Sequence, residues 1–261
     1  MKRIALLALA CLVACTTSFA ASSPDAAEWL DKMAESAGGS FKTEYRAEMN
    51  QNHMGMELSL TLDGELLQAD PKHMRSTLTM TLKNQAMPDG MRMTVLTVAD
   101  GSHAWTEMEM MGGKQVMKVS LDALHELAAG DPRLAQMKSS DPLSQIRHMS
   151  ETFDFSVTDR ADGRVTLSAK MTEDGLAALG QAAPSGSAKA LSEMTLVLDE
   201  KTGFPASIAV GGDDPMITMY FDGFETVDAA SFPAEAFSYT PPAGANVMDL
   251  GAMVGGQNGA K

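Results

Sequence analysis

The chain has 261 residues, with 34 acidic against 20 basic side chains and a formal charge of −14. That balance excludes nucleic acid as a partner, because counterion release needs clustered Lys and Arg, and it opposes adhesion to anionic lipid surfaces. Both cysteines, Cys11 and Cys15, lie close to the start, which excludes disulfides, thiol nucleophiles and thiolate metal sites from the remainder.

Lys2 and Arg3 precede an apolar run from Ile4 to Ala14 that is too short to span a bilayer, the pattern of a secretory leader. Two processing sites compete. Ser18-Phe19-Ala20 fits the small-x-small rule and makes residues 1–20 a signal peptide with Ala21 first. Leu12-Val13-Ala14-Cys15 resembles a lipobox, which ends the leader at residue 14 and acylates Cys15. Both place the product in the periplasm, the second with a lipid anchor in the outer membrane. Losing Lys2 and Arg3 leaves the mature chain two charges more negative.

Ser23-Pro24 ahead of DAAEWLDKMAESAGG predicts a capped helix, with Ser23 at the N-cap, Pro24 at N1 and Gly38-Gly39 as the stop. Trp29, Leu30, Met33 and Ala37 share one face, so this helix lies on something apolar. From Phe41 the period drops to two. Phe41, Tyr45 and Met49 point one way. Met56, Leu58, Leu60 and Leu62 alternate with Glu57, Ser59, Thr61 and Asp63. Met74, Leu78, Met80 and Leu82 alternate with Arg75, Thr77, Thr79 and Thr81. MRMTVLTVADG and HAWTEMEMM continue the series across a turn at Asp100-Gly101. Such alternation predicts antiparallel strands with one dry face.

SLDALHELAAGDP predicts a helix capped by Ser120 with Leu121, Leu124 and Leu127 in phase, and DPLSQIRHMSE a second capped by Asp141. Strands resume at FDFSVTD, turn at Asp162-Gly163 and return as RVTLSAK. TEDGLAALGQ predicts a short helix, followed by a Ser/Gly/Pro/Ala-rich loop at residues 182–188. EMTLVLDEKTGFPASIAV predicts a hairpin about Lys201-Thr202-Gly203, and PMITMYFDGFETV another strand. Residues 248–261 read as a flexible Gly-rich tail. Residues 21–247 then form one mainly β domain, a large antiparallel sheet with a few short helices. A sheet with one apolar face must close on itself or be covered. These helices are too few to cover it fully, which leaves room for a cavity.

Catalytic signatures are missing. His53, His73, His103, His125 and His148 show no ligand-spaced pair, and no nucleophile elbow or phosphate loop occurs. The carboxylates fall on polar strand faces or in turns. The chain reads as a binding protein rather than an enzyme, with no catalytic residue, metal or cofactor assigned.

Methionine occurs 22 times, and twelve of these lie from Met49 to Met117. In TEMEMMGGKQVMKV a two-residue turn at Gly112-Gly113 pairs Met111 with Lys114, Met108 with Met117 and Glu107 with Lys118. Met108, Met110, Met117 and Val119 then share one side. Glu107, Glu109, Lys114 and Lys118 share the other, with Glu107 and Lys118 an opposite-charge pair. Met111 and Val116 fall on the charged side, and Gln115 on the thioether side. Three readings stand. Met fills irregular gaps in an ordinary core. Soft thioethers suit Cu(I), and Met54-x-Met56, Met91-x-Met93 and Met108-x-Met110 match such motifs, although strand alternation alone produces each pair. The third reading is a deformable apolar cavity for a flexible ligand. Since Met specifies packing less well than Leu, Ile, Val or Phe, the third is favoured.

The C-terminal stretch LDEKTGFPASIAV…ITMYFDGFETVDAASFPAEAFSYTPPAGANV runs from a hairpin strand through a strand pair and an acidic-alanine turn. It closes on Phe237, Tyr239, Pro241, Pro242, Gly244 and Val247. With this order the chain resembles the LolA-type periplasmic carriers of outer-membrane lipoproteins and their LolB and LppX relatives. Asp100, Gly101 and Trp105 look like the family's Asp-Gly-x-x-x-Trp segment. The resemblance covers most of the mature chain. It implies an incomplete antiparallel β-barrel lidded by short α-helices, whose concave face takes up acyl chains. Implied partners are an acylated lipoprotein or lipid, with Lol-type components of the inner and outer membranes. Met56, Leu58, Leu60, Met74, Leu78, Met80, Met93, Val95, Met108, Met110 and Met117 would line the cavity. Trp29, Leu30, Leu124 and Leu127 would face it from the lid. The family's lid-clasping basic residue before a proline is Asp70 before Pro71 here, so the clasp does not transfer.

Overall fold

Alternation from Phe41 onward becomes the strands of a single sheet, preceded by the capped helix. The computed structural model of the protein describes residues 22–53, 56–84, 87–110, 113–122, 152–182 and 191–250. Helix α1 (Pro24–Gly38) is followed by β1 (Phe41–His53), β2 (Met56–Asp70), β3 (His73–Asn84), β4 (Met87–Asp100), β5 (His103–Met110) and β6 (Gly113–Ser120). Then come β7 (Phe153–Ala161), β8 (Arg164–Met171), helix α2 (Glu173–Ala182), β9 (Glu193–Asp199), β10 (Pro205–Val210), β11 (Ile217–Thr226) and β12 (Asn246–Asp249).

The strand order is β12-β6-β5-β4-β3-β2-β1-β11-β10-β9-β8-β7. Every neighbouring pair is antiparallel except β12 with β6, which run parallel. The sheet is open, with β7 and β12 at its edges, and the mainly β, incompletely closed architecture expected from the sequence is the one found. Pairing with β6 extends through Met248 and Asp249, two residues past the Val247 boundary drawn from composition.

Local chemistry explains the element ends. Ser23 Oγ accepts a hydrogen bond from the Ala26 amide at 3.3 Å, Pro24 opens α1, and the Gly39 amide closes it on the Ser36 carbonyl. The β7–β8 turn puts Asp162 and Gly163 at φ 53° and 71°, the pair of left-handed conformations that a two-residue type I′ turn needs.

Register carries one face across the sheet. Val157, Leu167, Leu196, Ile208, Met219, Ala47, Leu62, Met80 and Met93 form one unbroken apolar rung from β7 to β4. Phe155, Ala169, Met194, Val210, Ile217, Met49, Leu60, Leu82 and Met91 form the next. Helix α1 lies on this face. Its Ala26, Trp29, Leu30, Met33 and Ala34 are buried with Phe155, Val165, Leu167, Leu196 and Leu198.

The helix also bridges distant strands. At its start the Ser23 amide donates to the Phe155 carbonyl of β7, and at its end Gln68 of β2 donates to the Ala37 and Gly39 carbonyls. Six strand spacings separate β7 from β2, about 29 Å along a flat sheet. A helix of 15 residues is only about 22 Å long. The Gln68 side chain closes the remaining gap, and because an open sheet of twelve strands coils rather than lying flat, α1 lies along its inner, concave face.

The opposite, convex face is covered elsewhere. Val98 and Val116 on that face are fully buried, under the chain between β11 and β12. Tyr239 packs on Trp105 at 5.4 Å between ring centroids, and Phe237 on His73 at 6.2 Å. The closing aromatic residues of the C-terminal motif thus serve as a strap over β3–β6.

One expectation is corrected. In the β5–β6 hairpin Met110 pairs with Gly113, Glu107 with Val116, Thr106 with Met117 and Trp105 with Lys118. This differs by two residues from a Gly112-Gly113 turn, and Glu107 and Lys118 are not partners. Glu107 is instead bound by Lys114 at 2.6 Å and by the Tyr239 hydroxyl at 2.6 Å, while Lys118 sits over the Trp105 ring. Contacts from the distant strap select this register over the local turn preference. Since a shift of two preserves side-chain parity, the assignment of faces is unchanged.

Candidate functional site

The concave face is finished differently along its length. Over β7–β9 it is sealed by α1, and Val165, Leu167, Leu196 and Leu198 have no exposure at all. Across β2–β6 much of the same face is half-buried, although Leu62, Gln68 and Ala99 are buried within it. Leu60, Leu66, Met74, Leu78, Met80, Leu82, Met93, Val95, Met108 and Met117 are all intermediate in exposure, and Met91 is 37 % exposed. Helix α1 meets this part at its end, through Gln68 of β2.

Of the positions predicted to line a cavity, Leu60, Met74, Leu78, Met80, Met93, Val95, Met108 and Met117 all lie on this face by register. Met56, Leu58 and Met110 occupy strand positions in phase with it. Trp29 and Leu30 face the sheet from α1, but over the sealed half and within its core. Leu124, Leu127, Cys15 and the helices expected within residues 123–151 lie outside the described residues. Ser120, expected as a helix cap, is the last residue of β6.

Three features were not singled out in the sequence. Gln68 is buried on the concave face and binds the end of α1, with its amide nitrogen 2.6 Å from the Ala37 carbonyl and 2.9 Å from that of Gly39. It stands two residues before Asp70, whose carboxylate instead holds the β2–β3 turn through the Lys72 and His73 amides and His73 Nδ1. Lys32 donates to the Glu200 carbonyl and Ser36 to that of Thr202, which ties the helix to the β9–β10 turn. The third feature is a close approach at Gly64. A Cβ there would lie 2.4 Å from Tyr45 Cζ and 2.8 Å from the Thr77 carbonyl oxygen, so only glycine lets the Tyr45 ring lie across β2. The signal was present as a glycine interrupting Met56, Leu58, Leu60, Leu62, since mid-strand glycine marks close approach.

Electrostatic order is concentrated on the convex face. Burial alone would raise the Asp100 carboxyl, but bonds from Trp105 Nε1, the His103 and Ser102 amides and the Ser102 hydroxyl outweigh it and hold the group at about 2. Glu107 is lowered by its bonds to Lys114 and Tyr239. Burial and the Glu107 carboxylate push Tyr239 up, which keeps it a hydrogen-bond donor. These groups bind the strap and turn rather than converging on a cavity. No group of three or more His, Cys, Asp or Glu among the described residues is arranged to hold a metal ion.

No family model and no curated protein matches the chain. Solved structures do. LprF from Mycobacterium bovis is similar at 12% identity, over 78% of this chain and 94% of that one, with a TM-score of 0.43. An uncharacterized conserved protein from Thermus thermophilus is similar at 9% identity, over 86% and 99%, with a TM-score of 0.41. The LolA superfamily protein NE2245 from Nitrosomonas europaea is similar at 11% identity, over 82% and 97%, with a TM-score of 0.29.

Proposed function

We propose that the protein is a non-enzymatic periplasmic binder of acylated ligands, most simply a carrier of lipoprotein acyl chains. The observation that carries this reading is the concave face itself. Two apolar rungs continue without a break from a sealed core onto strands where the same side chains stay half-exposed. An apolar surface that the described residues leave half-exposed favours a partner. Thioethers suit a partner of variable shape, because unbranched Met re-packs around it. Each acyl methylene transferred to such a wall contributes about 0.8 kcal/mol, so chains are held without specific polar contacts. Export by the leader and anchorage through Cys15 belong to the same proposal.

Gentle purification from the native envelope followed by mass spectrometry is expected to find co-purifying lipid or lipopeptide. The purified protein is also expected to take up a fluorescent acyl probe. Absence of both lipid and probe uptake would overturn the reading.

A further inference from the structure

Below the two apolar rungs the concave face changes chemistry. The next rung is Tyr45, Gly64, Leu78, Val95 and Met108. The one after it runs Thr43, Leu66, Ser76, Thr97 and Thr106, so three adjacent strands, β3 to β5, each contribute a hydroxyl. Tyr45 reaches across Gly64 to this row and lies 3.0 Å from Ser76 Oγ. A bare glycine under the ring puts the phenol there, between the half-exposed methionines and the hydroxyl row.

Donor accounting shows what such a pair lacks. Two hydroxyls carry two O–H donors, and the bond between them uses one. The second donor has no partner in that bond. Burial pushes the Tyr45 phenol up, although its bond to Ser76 pulls the other way, so the ring oxygen keeps its proton near neutral pH. Among the described residues the side chains of Thr97 and Thr106 make no hydrogen bond either. A ligand that satisfies leftover donors on an apolar wall is an acceptor without a charge, attached to hydrocarbon. An ester or amide carbonyl at the head of an acyl chain has that chemistry, whereas a plain hydrocarbon does not.

Building on the acyl-binding reading, we propose that Tyr45 and Ser76, with Thr97 and Thr106 beside them, form a carbonyl subsite. It fixes the ester or amide end of a bound acyl chain while the methylenes lie on the methionine-bearing rungs. The subsite sets which end of the chain lies where, and it favours acyl esters over hydrocarbons of equal length.

The test displaces a bound fluorescent acyl probe from the mature protein with methyl oleate and with octadecene. Methyl oleate is expected to compete at about five- to tenfold lower concentration, the effect of one well-made hydrogen bond in a dry site. Tyr45→Phe, which keeps the ring on Gly64, and Ser76→Ala are each expected to narrow that gap, and the double variant to abolish it. Infrared spectra of carbonyl-labelled ester bound to the unmodified protein give an independent readout, with the stretch lowered relative to the same ester bound to Tyr45→Phe. Equal competition by ester and hydrocarbon, with the probe bound, overturns the subsite and leaves the acyl-binding reading standing. Failure of the probe to bind overturns both.

Discussion

The two halves of the concave face differ in residue choice more than in hydrophobicity. Over β7–β9 the wall is Phe155, Val165, Leu167, Leu196 and Leu198, pressed against α1. Over β2–β6 it is Leu60, Met80, Met93, Met108 and Met117, half-buried on the same side of the same sheet. Branched and aromatic side chains have few rotamers and define one packing. Thioether chains adapt, and four of them stand where the described residues leave the face half-buried. The sealed half holds Met33 and Met194 among its buried residues, whereas Met80, Met93, Met108 and Met117 stand half-buried on the open one.

That contrast can be broken by truncation. Leu196→Ala is expected to cost about 2–5 kcal/mol, the range for a fully buried leucine, whereas Met93→Ala or Met108→Ala should cost under about 1 kcal/mol. Urea melts of the three proteins decide it, and similar losses at both ends would mean the face is one ordinary core. Gly64→Ala should cost about 1–3 kcal/mol through overpacking against Tyr45 and the Thr77 carbonyl. Near-native stability there would show that the ring does not need the glycine.

Gln68→Ala sharpens the boundary between the halves. Loss of its two bonds to the end of α1 is expected to cost about 1–2 kcal/mol. Amide exchange should speed up in the last turn of the helix first, with the β7–β9 core still protected. A further expectation concerns Asp100, on the convex side. Its folded carboxyl sits at about 2, below the unfolded value near 3.9. Its stabilisation is therefore complete above about pH 4 and drains away as pH falls through 2. Asp100→Asn should flatten the acid limb of a stability–pH curve between those values, and an unchanged limb would remove Asp100 as its cause.

Much of this was legible in the sequence, for a physical reason. Period-two alternation reports which side of a strand is dry, so the positions from Leu60 to Met117 expected to line a cavity share one face. Ser23 and Pro24 marked the helix start because capping is local. What was not legible depends on distant partners. The β5–β6 register answers to Tyr239, more than a hundred residues away, which binds Glu107. Gln68 looks like an ordinary polar strand residue until α1 ends beside it. Trp29 and Leu30 announced a buried helix face without saying which strands would bury it.

The helix, together with the Gln68 side chain, joins strands that are six spacings apart. It is a string across a bow. An α-helix barely stretches, so the strands between cannot spread far while both ends of α1 stay tied. Any ligand large enough to spread the strands must break the hold of Gln68 on Ala37 and Gly39 or that of Ser23 on Phe155. The width of the open half is thereby written into the length of a helix that belongs to the closed one.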